Sequence, residues 1–144
     1  MPEFNYARGR IAESLQFITS EIKEFEQDYL DKALQDYQQD KKLQKLMDRT
    51  LENILTALIE ISGTVLAREG ISVENYALAL KECAKKFGLS GSEQDSLGKL
   101  AVQRNRLAHR YLNFRWQAIM MFIETKPLVL KLISRIAEKR ELAD

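Results

Sequence analysis

Cysteine and histidine are nearly absent from this sequence. Among 144 residues there is one cysteine, Cys83, and one histidine, His109. A lone cysteine cannot close an internal disulfide, and no cluster with ligand spacing exists for a zinc-type site, so neither a metal nor another cofactor is expected. With no secretory leader at the N-terminus, the cysteine count points to a reducing, cytoplasmic setting. Proline is scarce as well. Two prolines and six glycines leave room for long uninterrupted helices. The longest apolar run, residues 118–123, falls far short of the roughly 20 residues that cross a bilayer, so no membrane partner is expected. The formal net charge is only +1, which excludes a polycation that holds nucleic acid by bulk charge.

What is present is a soluble composition, 45% hydrophobic and 30% charged, at a length that suits one domain spanning residues 1–144. The hydrophobic residues recur with helical period. Ile11, Leu15, Ile18, Ile22, Phe25 and Tyr29 form one stripe by alternating steps of four and three. Leu51, Ile54, Leu58, Ile61 and Val65 form a second, which closes near Gly70, a residue able to take a left-handed cap. A shorter helix is predicted over residues 74–87, then a loop at 88–92 with Ser92 as the next N-cap, and Glu93 and Asp95 at the positive end of the helix that follows. That fourth helix carries Leu97 to about Ala108. A fifth begins near Arg115, and Pro127 should kink or split it. The expectation is an all-α, up-and-down bundle of four to five helices. The stripes serve as bundle core, or in part as the seam of a homodimer.

Charge is unevenly distributed. Residues 21–40 hold seven carboxylates against Lys23 and Lys32, whereas residues 96–123 hold none. The second stretch carries Lys99, Arg104, Arg106, Arg110 and Arg115 with His109. Such a cluster can be an anion site or a basic face paired with the acidic first helix. Arg104 stands where the stripe Leu97, Leu100, Leu107, Tyr111 would place a leucine. A guanidinium there needs an anionic partner: a structural glutamate on a neighbouring helix, or a ligand in a cleft. His109 is the side chain whose ordinary pKa lies near neutrality. It follows Asn105 by four residues and can share its face, but follows Arg104 by five, roughly 140° around a regular helix. Either the helix distorts or ends before His109, or one site is assembled from two chains.

Arg104, Asn105, His109 and Tyr111 make the pattern RNxxxHxY. In this helical context the chain resembles the HEPN-domain family, and within it the HepT-like toxins whose antitoxin is a minimal nucleotidyltransferase of the MntA kind. The stretch RTLENILTALIEISGTVLAREG, residues 49–70, is similar to that family's second helix, and ENYALALKECAKKFGLS to its third. The resemblance implies a homodimer in which the two motifs share a cleft, with Arg104 and His109 cleaving RNA. It implies silencing by transfer of AMP to Tyr111 from the partner nucleotidyltransferase. The acidic residue that the family often has after the tyrosine is absent; Leu112 and Asn113 stand there.

The implied chemistry is metal-independent cleavage in which the adjacent 2′-hydroxyl attacks the phosphorus, giving a 2′,3′-cyclic phosphate or 3′-phosphate end and a 5′-hydroxyl end. This needs a base, an acid and a cation for the developing charge. Asn105 would orient His109 or the phosphate, and Arg106 and Arg110 would contact the RNA backbone. A different reading of the same cleft is a non-catalytic subunit that binds a nucleotide or substrate for a partner nucleotidyltransferase.

Overall fold

Ile11 to Asp28 begin the described part of the chain as α1, one face of which carries the first apolar stripe. The computed structural model describes residues 11–108 and 112–143, the side chains of 112–113 and 140–143 excepted. Six helices lie among these residues, with no strand: α1 (Ile11–Asp28), α2 (Leu34–Gln39), α3 (Lys41–Arg68), α4 (Tyr76–Lys86), α5 (Gly91–Ala108) and α6 (Leu112–Ala143). The all-α expectation holds, with one helix more than the stripes indicated.

The local signals explain the boundaries. Ile11, Leu15, Ile18, Ile22 and Phe25 are all buried, so α1 packs by the stripe that its sequence spells. α3 starts ten residues before its first stripe leucine, because the Asp40 carboxylate accepts from the Lys42 and Leu43 amides at 3.0 and 3.1 Å. It stops at Gly70, whose φ of +73° suits a residue without Cβ; the Gly70 amide returns to Ala67 O and the Ile71 amide to Leu66 O, each at 3.0 Å. α4 is capped by Asn75, whose side chain accepts from the Leu78 amide at 2.9 Å.

The N-cap of α5 is Ser90 rather than Ser92. The Glu93 amide donates to Ser90 Oγ at 3.2 Å, and the Ser90 amide donates to Glu93 Oε1 at 2.8 Å. This reciprocal pair satisfies two orphan donors at once, which a start at Ser92 would not. Pro127 does not split the last helix. It sits on an exposed face of α6, which runs through it, so the ring meets solvent and the helix forgoes the one hydrogen bond that an N–H there would give the carbonyl four residues back.

α3 is the axis of the bundle. It packs against α1, α2, α4, α5 and α6. It is long and apolar enough to cross a membrane, with a mean hydropathy of 1.3 over its most apolar window, yet 72% of that window is buried inside the fold. The apolarity is that of a central core helix, and its upper half contributes Ile54, Leu55, Leu58, Ile61 and Leu66 to the interior. α5 lies beside α4 and α6 and also packs on α3, where Arg104 near its end reaches Thr56 in the middle of that helix.

Candidate active site

On α5, Leu97, Leu100 and Leu107 are buried as their spacing requires, and Arg104, in the same stripe, is half-buried. Its guanidinium does not enter the core. Arg104 Nε donates to Thr56 Oγ1 on α3 at 3.4 Å, a long bond that fixes the direction of the side chain; among the described residues neither terminal nitrogen makes a hydrogen bond. The structural ion pair expected as one explanation of Arg104 is absent among the described residues, where the pairs are Lys81–Asp95, Lys86–Glu69, Arg115–Asp48, Lys126–Glu26, Lys131–Glu93 and Lys139–Glu69.

Arg104 lines a cleft of about 550 Å³ bounded by Glu13, Ser14 and Phe17 of α1 and by Arg49, Glu52, Asn53, Thr56 and Glu60 of α3. The second explanation of its position, a cation set in an open cleft, therefore fits the geometry. An arginine placed there can hold a phosphate with its terminal nitrogens while its Nε stays on Thr56.

A second cleft, of about 720 Å³, adjoins the first and shares Arg49 and Glu52 with it. Leu107 and Arg115 form its far wall. Arg115 belongs to the arginine cluster of the sequence, but its charge is already committed. Its Nη1 donates to Asp48 Oδ2 at 2.5 Å, and the Tyr37 hydroxyl donates to Asp48 Oδ1 at 2.7 Å. The Trp116 ring leans on Tyr37 with centroids 5.2 Å apart. Burial pushes the Asp48 carboxyl above its ordinary pKa, opposed by the Tyr37 hydrogen bond and the Arg115 charge; burial likewise raises the Tyr37 phenol. The arginine is paired with α3 and not with the acidic first helix. The network ties α2 and α3 to the first turn of α6, just after the motif.

Of the remaining motif residues, Asn105 is exposed on α5. Arg106 stacks over the Phe114 ring, 5.0 Å from its centroid, and its Nη1 donates to Gln103 Oε1 at 3.5 Å. Neither lines the Arg104 cleft. His109, Arg110 and Tyr111 lie outside the described residues, between the last position of α5 and the first of α6. Cys83 is fully buried, and burial pushes its thiol up to about 11, consistent with a bystander.

Sequence reasoning missed Thr56, Asp48 and Tyr37. Each acts through a residue 11 to 67 positions away, and no local spacing reports such a contact. A family model described as "Ribonuclease HepT-like" matches residues 16–136, which takes in α3, α4, α5, the motif and most of α1 and α6. No curated protein and no solved structure matches the chain.

Proposed function

The chain belongs to the HepT-like ribonuclease family, and from that premise we propose that it is the toxin of a toxin–antitoxin pair, a cytoplasmic endoribonuclease of one domain that cuts RNA without a divalent metal. The observation that carries this reading is the placement of Arg104. The family's motif arginine stands in an open cleft, oriented by Thr56, with no carboxylate paired to it among the described residues.

Arg104 holds the scissile phosphate and stabilises the charge that develops on it. His109 moves the proton. The RNA's own 2′-oxygen bonds to phosphorus as the bond to the 5′-oxygen breaks; the proton leaves the 2′-hydroxyl for a base, and another is delivered to the departing 5′-oxygen. One chain has one histidine for two proton transfers. Two chains related by a twofold axis bring two His109 and two Arg104 to one cleft, so the working unit is a homodimer. Asn105 orients the histidine or the phosphate, and Arg106 and Arg110 meet the backbone on either side.

Metal independence is part of the reading because the nucleophile is the RNA's own 2′-hydroxyl, which needs a base and an acid rather than an ion. Control falls to Tyr111. A minimal nucleotidyltransferase partner transfers AMP to its phenol oxygen with loss of pyrophosphate from ATP, and the added phosphodiester takes the place of RNA phosphate in the basic cleft. Growth after induction tests the whole reading. The wild type without its partner should arrest growth and the His109→Ala chain should not; equal growth of the two would remove the ribonuclease assignment.

A further inference from the structure

We propose that Lys41, Lys45 and Arg49 of α3 form a track for the backbone of single-stranded RNA, leading away from the Arg104 cleft. The proposal deepens the ribonuclease reading and rests on it. The three cations recur at every fourth position and are all exposed. They therefore lie on one helix face, about 6 Å apart along the axis at each step, an even spacing suited to a repeating anion. All three line the 720 Å³ cleft, and Arg49 also lines the cleft of Arg104, so the track is continuous with the place where the phosphodiester is cut.

Three further observations make the track a binding surface rather than an ordinary solvated face. First, none of the three is in an ion pair among the described residues, although carboxylates line the same cleft. Of those two carboxylates, Asp48 is held by Arg115 and Tyr37, which leaves Glu52 at the junction with the Arg104 cleft. Second, Lys41 and Lys42 occupy the first turn of α3, where there is no acidic residue. The carboxylate nearest to them in the chain, the N-cap Asp40, is taken up by the Lys42 and Leu43 amides and forms no ion pair with either lysine among the described residues. Third, Leu46 is 45% exposed within the cleft and Leu107 backs it, an apolar wall for a ribose or base beside the charged stripe.

The same charges give the strand a direction. Beyond Arg104 the first cleft is lined by Glu13 of α1, a carboxylate that repels a phosphate chain. RNA entering at Arg104 is thus drawn over Arg49 and Lys45 towards Lys41 and away from the acidic end. An acidic protein surface would also find three cations here, but only a strand threading the cut site needs them continuous with Arg104.

The test uses the full chain with His109→Ala, which removes cleavage, and adds Lys41→Gln and Lys45→Gln; glutamine keeps helix propensity and removes charge. Binding is followed by fluorescence anisotropy with a single-stranded RNA of about 12 nucleotides and with a trinucleotide, across a salt series. Loss of two phosphate contacts should weaken the longer RNA about tenfold at low salt and flatten the log–log salt slope by about 1.4, with the trinucleotide changing less than about twofold. In the His109 chain the same two substitutions should raise KM for the longer RNA with kcat held within about twofold. Equal losses for both RNA lengths, an unchanged salt slope, or a loss of affinity confined to the partner protein would each overturn the track. If the chain with the track intact bound neither RNA and the His109 chain cleaved none, the ribonuclease reading itself would fall. A chain that cleaves RNA and is indifferent to Lys41 and Lys45 would refute the track alone.

Discussion

Arg104 Nε on α5 donates to Thr56 Oγ1 on α3 across 3.4 Å, joining the first residue of the RNxxxHxY pattern to the central helix of the bundle. The contact aims the guanidinium along the cleft rather than neutralising it. Thr56→Val should cost about tenfold in RNA cleavage, the low end of the range for hydrogen bonds to charged groups, and Thr56→Ser should restore most of it. Arg104→Lys should not recover the activity lost in Arg104→Ala, because an ammonium lacks the fork that can hold Thr56 and a phosphate together. Steady-state cleavage of a labelled RNA reads all four variants; a Thr56→Val chain as active as the wild type would detach the hydroxyl from the site.

The Asp48–Arg115 pair holds the start of α6 to α3, and its two side chains are only 11% and 16% exposed. Arg115→Ala strands a buried carboxylate that also accepts from Tyr37, and should destabilise the fold by about 3–5 kcal/mol in urea unfolding. Replacing both members by apolar residues should cost less than that single change. A loss under about 1 kcal/mol for Arg115→Ala would mean that the pair is solvated and worth no more than a surface bridge.

Cys83 should behave as a core residue. Burial raises its thiol to about 11, so at pH 8 it is both protonated and covered. Iodoacetamide should leave the native chain unmodified and label it fully in denaturant. Rapid labelling of the native protein would show that the α3–α4 packing opens.

Tyr111 is the proposed control point. Co-expression with the partner nucleotidyltransferase should add AMP mass to the peptide containing Tyr111, and Tyr111→Phe should stay toxic in the partner's presence. Neutralisation of the phenylalanine chain with no modified peptide would place control in complex formation instead.

The parts of this molecule that could be read in its sequence are those whose information is local. The α1 stripe, the Gly70 stop and the Leu97–Leu107 face all repeat within a few residues, and each is found as spelled. α2 was missed because it is six residues long and buries one side chain, Tyr37, so it has no period to detect. The start of α3 was missed because its first turns are polar, Lys41, Lys42, Gln44 and Lys45, and their helical state is set by the Asp40 cap. Ser90 was passed over for Ser92 because both precede a carboxylate by three residues, and the choice depends on the chain's exit from α4 at Gly88. In the site, Arg104 was conspicuous as a charge in an apolar stripe. Its partner Thr56, 48 residues earlier, became visible only when α5 was laid on α3. The commitment of Arg115 to Asp48 was hidden for the same reason, which is why the sequence leaves open whether it serves an anion site or pairs with the acidic first helix.

The most direct measurement is cleavage of single-stranded RNA by the purified chain in excess EDTA, wild type beside His109→Ala at equal concentration, with the product ends identified. The wild type should cut at its full rate and leave a 2′,3′-cyclic phosphate or 3′-phosphate and a 5′-hydroxyl, and His109→Ala should be slower by about 10²–10⁴-fold. Activity that disappears in EDTA and returns with magnesium or manganese, or a His109→Ala chain that cuts as fast as the wild type, would contradict the account.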